Sequence, residues 1–256
     1  VNGIDNVGSI AGPKPSIYSG EASLYVLRVG VELLAAGRAD FLYLSLTDYM
    51  QHKYAPEAPG SRGFYRAIDT EVGRLLEFGA IVGITADHGM NAKCNGDGEP
   101  NVIFLETELA REFGDGCRVI CPITDPYVVH HGALGSAVTV YLPDNLEREV
   151  VANWISALDG VTEVHPREMA VAKLELPGDR IGDLFVLSAR DWVIGRTPGP
   201  HDLGKLEGPL RSHGGRYEEM VPFLISEPLN AKYAGLAKGD PRNFDIFDFA
   251  CNGTQP

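Results

Sequence analysis

The 256 residues carry 44% hydrophobic and 22% charged side chains, the balance of an ordinary globular protein long enough to bury a sizeable core in one large domain or a domain with an insertion. A formal net charge of -13 repels polyanions over most of the surface, which excludes nonspecific nucleic-acid binding; a small anionic substrate then needs local cations, such as bound divalent metals. No apolar stretch approaches the roughly 18 residues of a membrane span, so no membrane partner and a cytoplasmic location are expected; a chain that opens at Val1 rather than at an initiator Met also reads as the middle of a protein, with any targeting segment upstream.

After a Gly- and Pro-rich start, residues 21 to 37 predict an amphipathic helix, with Leu24, Leu27, Val31 and Leu34 near helical spacing and Gly37 as its stop. Phe41 to Leu46 is an apolar run suited to a strand covered on both faces, as in a parallel sheet. Gly63 to Phe78 predicts a second helix, with Ile68, Val72, Leu75 and Leu76 inward, and Ala80 to Thr85 a second buried strand, which closes a β-α-β unit. Asn101 to Glu106 reads as another strand.

From about 117 to 197 the pattern changes. Val138 to Leu142 and Leu184 to Ser188 read as strands and Leu146 to Leu158 as a helix, bracketed by Pro and Gly clusters that end in Arg-Thr-Pro-Gly-Pro. The expected organisation is therefore a metal-binding α/β core of residues 1–116 and 198–256, with an inserted α+β cap at 117–197. The core sheet resumes at Val221 to Ser226, and the tail beyond Asn230 covers it.

Four cysteines, Cys94, Cys117, Cys121 and Cys251, are too few and scattered for a disulfide framework. Cys117 and Cys121 lack the two-residue spacing of a zinc knuckle, so buried or idle thiols are expected.

Three segments carry the chemistry: Thr-Asp48-Tyr-Met-Gln-His52, Thr-Ala-Asp87-His88-Gly-Met and Arg-Ser-His213-Gly-Gly. Asp48 and His52 lie four apart, so one helical turn would aim both at one metal, although a surface hydrogen-bonded pair has the same spacing. Asp87 and His88 would diverge on a regular strand, but just past its end both can reach one ion. His213 follows in a glycine-flanked turn from which a side chain can reach back. Carboxylate and imidazole donors suit zinc, and manganese or iron fit the same set. His130 and His131 in the expected cap, His201 and Lys205 near its end, and Lys93 past the Asp-His-Gly motif read more readily as turn or surface residues than as substrate contacts, and His165 as a loop residue.

The combination of Asp, three residues, His, then a buried strand ending Asp-His-Gly-Met, then a distant His before Gly-Gly resembles the alkaline phosphatase superfamily of two-metal phospho-transfer enzymes. Within it, the stretches at 17–24, 84–93, 125–136 and 201–215 are similar to the phosphonoacetate hydrolase family, and the likeness spans nearly the whole chain. The resemblance implies an alkaline-phosphatase-like, mostly parallel sheet between helices under a cap. It also implies two zinc ions, one on Asp48, His52 and His213 and one on Asp87 and His88, and cleavage of the carbon-phosphorus bond of phosphonoacetate to acetate and phosphate. It places the threonine nucleophile, a further Asp ligand and the lysines that hold the substrate carboxylate upstream of Val1, so the chain is expected to be the carboxyl-terminal part of a larger enzyme. Thr47 and Thr85 are expected to face the core or cap a turn, and Ser9, Ser16, Ser19 and Ser23 lack the strand-to-helix turn of a nucleophile. A nucleotide pyrophosphatase or phosphodiesterase of the same superfamily would share all five ligands, and a non-catalytic zinc-binding fragment is the alternative of a different class.

Overall fold

The structure, a computed structural model, describes residues 6–124, 134–206 and 208–255. The chain forms two compact units, one from residues up to Asp87 together with those from Val221 on, the other from His88 to Met220. The breaks at 87/88 and 220/221 enclose a longer stretch than the expected cap of 117–197. The strand at Val102–Phe104 explains part of the difference, because it pairs in parallel with Val193–Gly195 and so joins the second unit.

In the first unit the helix Gly20–Ala35 buries Tyr25, Leu27, Val31 and Leu33. Just past its end, Gly37 takes φ 61°, a left-handed backbone that glycine adopts without the Cβ penalty. The second helix starts earlier than the apolar spacing predicts, at Pro59, whose fixed φ and missing N–H suit a first turn, and runs Pro59–Glu77. It buries Phe64 and Leu75, but Leu76 is exposed rather than inward. Gly83–Thr85 pairs antiparallel with Phe223–Ile225, Ile84 opposite Leu224, and the helix Ile246–Asn252 packs on this ladder, with Ile246 against Gly83. Tyr233 and Phe249 meet edge to face at 5.1 Å in the same core.

Phe41 to Leu46, expected as a doubly covered strand, forms no ladder among the described residues, and Phe41 and Tyr43 are exposed. An apolar run becomes a strand only where a neighbour takes its N–H and C=O groups. The expected β-α-β pairing is therefore absent among the described ladders.

The second unit is built on a four-stranded antiparallel sheet in the order Arg118–Ile120, Ala137–Tyr141, Leu184–Ser188, Val161–Pro166. Every residue of Leu184–Ser188 is buried because both faces are covered. Leu184 and Val186 join Val138, Val140, Leu109, Val151 and Ile155 beneath the helices Leu105–Phe113 and Arg148–Ser156, whereas Phe185 and Leu187 join Ala137, Ile181 and Ala170 of the helix Arg167–Leu174. Among the described ladders, the pair Val102–Phe104 with Val193–Gly195 is parallel and the others are antiparallel.

No helix among the described residues is long and apolar enough to cross a membrane.

Gly182 sits against the backbone of this sheet: a Cβ there would lie 2.3 Å from the Val140 carbonyl oxygen. Gly182→Ala must displace main chain rather than a side-chain tip, and is expected to lower stability by about 2 kcal/mol or more, read from urea unfolding at unchanged m-value.

Candidate metal centre

The first unit holds Asp48, His52 and Asp87. Asp48 precedes the short helix Tyr49–Lys53, and its carbonyl accepts the N–H groups of Gln51 and His52, each at 3.0 Å. One turn on, His52 Nε2 lies 3.2 Å from Asp48 Oδ2, with the imidazole almost fully buried. That separation is longer than the 2.7–2.9 Å usual for a charge-assisted hydrogen bond. It is close to the spacing of about 3.3 Å that two donors take on a tetrahedral zinc with bonds near 2.0–2.1 Å.

Ser23, fully buried in the helix Gly20–Ala35, fixes the residue before Asp48. Its Oγ accepts the Thr47 N–H at 3.0 Å and donates to the Thr47 carbonyl at 3.2 Å, with the Thr47 hydroxyl 3.3 Å away. The start of the same helix closes on Met50: a Cβ at Gly20 would meet the Met50 Sδ at 2.9 Å. Ser23 was discounted as a nucleophile and its positioning role has no sequence motif, since the contact joins residues 24 apart. Asp87 lies two residues past the ladder at Gly83–Thr85 and is exposed, while the carbonyl of the preceding Ala86 accepts a hydrogen bond from Asn243 Nδ2 at 3.2 Å. The Thr85 hydroxyl is buried and has no hydrogen-bond partner among the described residues.

The second unit holds His88 and His213. The antiparallel pairing of Asn91 with Ser212 and Ala92 with Arg211 brings their segments together, and the two imidazoles stack with centroids 3.5 Å apart and planes 2° from parallel. Gly214, next to His213, has φ 102°, and Gly215 packs on Ser136, whose Cβ would lie 2.8 Å from an added Cβ; the Arg-Ser-His-Gly-Gly turn needs both glycines. The His213 carbonyl accepts the Ser136 N–H at 2.8 Å. His88 Nδ1 lies 2.9 Å from the Gly89 carbonyl, and the Gly89 N–H donates to the Glu218 carbonyl at 2.7 Å.

Lys93 is neither solvated nor placed for a substrate anion. It is fully buried, and its Nζ donates to Glu218 Oε1 at 3.0 Å and to the Arg190 carbonyl at 2.8 Å. Burial pushes its ammonium down from the ordinary value, and the charge of Glu218 opposes that shift. His165 is not in a loop but on the strand Val161–Pro166, with Nε2 2.6 Å from Glu163 Oε2. The Arg216 guanidinium, 3.0 Å from the Glu163 carboxylate, is the main cause holding that carboxyl below its usual range. His201 is buried and stacks near Phe104, whereas Lys205 is exposed and pairs with Asp202. His130 and His131 lie outside the described residues. The cysteines are all free, and burial pushes the Cys121 thiol up to about 11.

A family model described as type I phosphodiesterase / nucleotide pyrophosphatase matches residues 29–216. The structure is similar to that of phosphonoacetate hydrolase from Sinorhizobium meliloti 1021, in complex with phosphonoformate and with phosphonoacetate. Both matches have 45% identity and a TM-score of 0.86, covering 97% of this chain and 60% of that one. This chain thus spans 60% of the length of the hydrolase it matches. Human ectonucleotide pyrophosphatase / phosphodiesterase 5 matches at 15% identity and a TM-score of 0.54, over 96% of this chain and 62% of that one. A mutant alkaline phosphatase matches at 15% identity and a TM-score of 0.50, over 82% and 44%. These distant matches show the fold, which is the alkaline-phosphatase-like α/β fold.

Ser23→Ala would leave the part-buried Thr47 N–H without its acceptor. A loss of about 1–3 kcal/mol in unfolding free energy is expected, measurable by chemical denaturation, and a change below a few tenths would show that Ser23 does not hold the Asp48 turn.

Proposed function

We propose, for a chain that belongs to the type I phosphodiesterase / nucleotide pyrophosphatase family, that it carries zinc ligands of an enzyme hydrolysing the carbon-phosphorus bond of phosphonoacetate to acetate and phosphate. The observation that carries this choice of substrate is the 45% identity over 97% of the chain to a phosphonoacetate hydrolase whose structures hold phosphonoacetate and phosphonoformate. Asp48, His52 and His213 are proposed to hold one zinc, and Asp87 and His88 a second. Three imidazoles and two carboxylates match the donor preferences of zinc, and the His52 to Asp48 separation of 3.2 Å suits two donors on one ion. Manganese or iron would accept the same donors.

When bound, the metals supply concentrated positive charge that stabilises the oxygens on phosphorus and lowers the pKa of a nucleophile beside them. The chain's own part is to present ligands in fixed geometry. Asp48 and His52 are held one turn apart by the helix at 49–53, with Ser23 clamping Thr47, the residue before Asp48. The glycines after His213 let its turn pack against Ser136. In the reaction a phosphorus-oxygen bond to the nucleophile would form as the phosphorus-carbon bond breaks, the electron pair staying on carbon, where the adjacent carboxylate delocalises it until a proton is taken up. Water would then cleave the phospho-nucleophile to release phosphate and regenerate the hydroxyl. The nucleophile is proposed to be a threonine that the resemblance places upstream of Val1. Neither Thr47 nor Thr85 is proposed for it, since Thr47 is engaged with Ser23 and the Thr85 hydroxyl is buried.

A second reading, favoured by the family model over residues 29–216, is hydrolysis of a phosphodiester or nucleotide pyrophosphate. Phosphate release from phosphonoacetate, measured beside nitrophenol release from a nitrophenyl phosphodiester with the full-length protein, separates the two. Preference for the diester would overturn the phosphonate assignment, and zinc binding with turnover of neither would favour a non-catalytic metal-binding protein. Independently of activity, elemental analysis of purified His213→Ala should show less bound zinc than wild type, and equal metal content would sink the ligand assignment.

A further inference from the structure

We infer that Glu218 is a positioning residue for the proposed metal ligands of the second unit, its buried carboxylate fixing the segments of His88 and His213 to each other. This rests on the metal reading above and adds to it a residue that touches neither a metal nor the substrate.

Glu218 is almost completely buried, and each of its oxygens is committed to a different segment. Oε1 accepts from Asn91 Nδ2 at 2.6 Å and from Lys93 Nζ at 3.0 Å, three and five residues past His88. Oε2 accepts the N–H of Gly215 at 2.9 Å, two residues past His213. Its backbone carbonyl accepts the N–H of Gly89, the residue after His88, at 2.7 Å. One residue therefore bonds to the chain on the far side of both histidines, and those histidines stack at 3.5 Å.

The regular pairing in this region is a ladder of two residues a side, too short to set register unaided. A buried ion pair is a poor source of stability, because desolvating the two charges costs about as much as their attraction returns. A carboxylate that accepts three hydrogen bonds from two segments does something an apolar pair cannot: it specifies distance and direction. Lys93 makes that carboxylate tolerable in the interior, and its second bond, to the Arg190 carbonyl, leaves little freedom to swing away. Outer groups of this kind commonly change metal affinity by about 10–100-fold when altered.

Glu218→Gln is nearly isosteric but must turn an NH2 toward one of the donors, either Gly215 N–H or the Lys93 and Asn91 pair, so one arm of the clamp is lost. Asn91→Ala removes the 2.6 Å bond to Oε1, together with the Asn91 contacts to the Tyr217 carbonyl and Arg190 Nε, and leaves the ion pair intact. Zinc affinity of the full-length protein, measured by competition with a chromophoric chelator well below the melting temperature, should fall at least tenfold in Glu218→Gln and several-fold in Asn91→Ala. The d-d spectrum of the cobalt-substituted protein should shift in both. If Glu218→Gln does not fold, Asn91→Ala alone decides. Wild-type affinity and cobalt spectrum in a folded variant, while His213→Ala loses zinc, would overturn the positioning role and leave the metal reading standing. If wild type itself binds no zinc, both fail.

Discussion

The Glu218 carboxylate is the constraint on which the second unit's contribution to the candidate centre depends. Around it, strands of two or three residues and two glycine-rich turns would otherwise be weakly specified, because each adds few ladder bonds and little apolar burial. A charge sealed from water cannot be left unpaired without a cost of several kcal/mol, so Lys93, Asn91 and Gly215 are all drawn to one point. The result is a tight local geometry at the end of a unit whose core, under the four-stranded sheet, lies elsewhere.

The first unit solves the same problem with a smaller group. Ser23 sits in a long helix stabilised by its own apolar face, and two hydrogen bonds from one hydroxyl fix the Thr47 backbone before the Asp48 turn. In both units the donors themselves lie on irregular or minimally regular chain, and the rigidity comes from a buried polar residue beside them. Side chains outside a ladder are not oriented by its hydrogen bonds, so other groups must hold them.

That division explains what could be read from the sequence. The helices at 20–35, 59–77 and 148–156 and the strands at 83–85, 102–104, 137–141, 184–188 and 223–225 follow approximately from apolar spacing and from glycine and proline punctuation, whereas the strand at 161–166 and the helices at 105–113 and 167–174 are not anticipated by it. The three segments proposed to bear ligands stand out in the sequence because carboxylate and imidazole are the residue types that donor chemistry calls for. Phe41 to Leu46 failed as a strand because a strand is a property of two segments, and periodicity reports only one. His165 and Lys93 failed for a related reason: a histidine before a proline and a lysine after a glycine motif look solvated, and only the fold brings Glu163 and Glu218 to them. Glu218 carries no motif at all, lying amid the acidic run Tyr-Glu-Glu with nothing to mark which carboxylate is buried.

The pairing of cations bears on the proposed chemistry. A phosphonate dianion approaching a protein with net charge -13 needs positive charge at its destination. Near the stacked histidines, Lys93 is spent on Glu218, and Arg216 on Glu163 and Glu219. Arg190 leans on Asn91 as well as lending its carbonyl to Lys93. Lys93 and Arg216 thus balance carboxylates inside the unit. Two divalent ions on the five proposed side chains, of which only Asp48 and Asp87 are anionic, would carry about two positive charges beyond those carboxylates, and the further Asp ligand that the resemblance implies would remove one of them. On the proposed reading an acidic surface and an anionic substrate are compatible, because the attraction would come from the bound metals rather than from the surface as a whole.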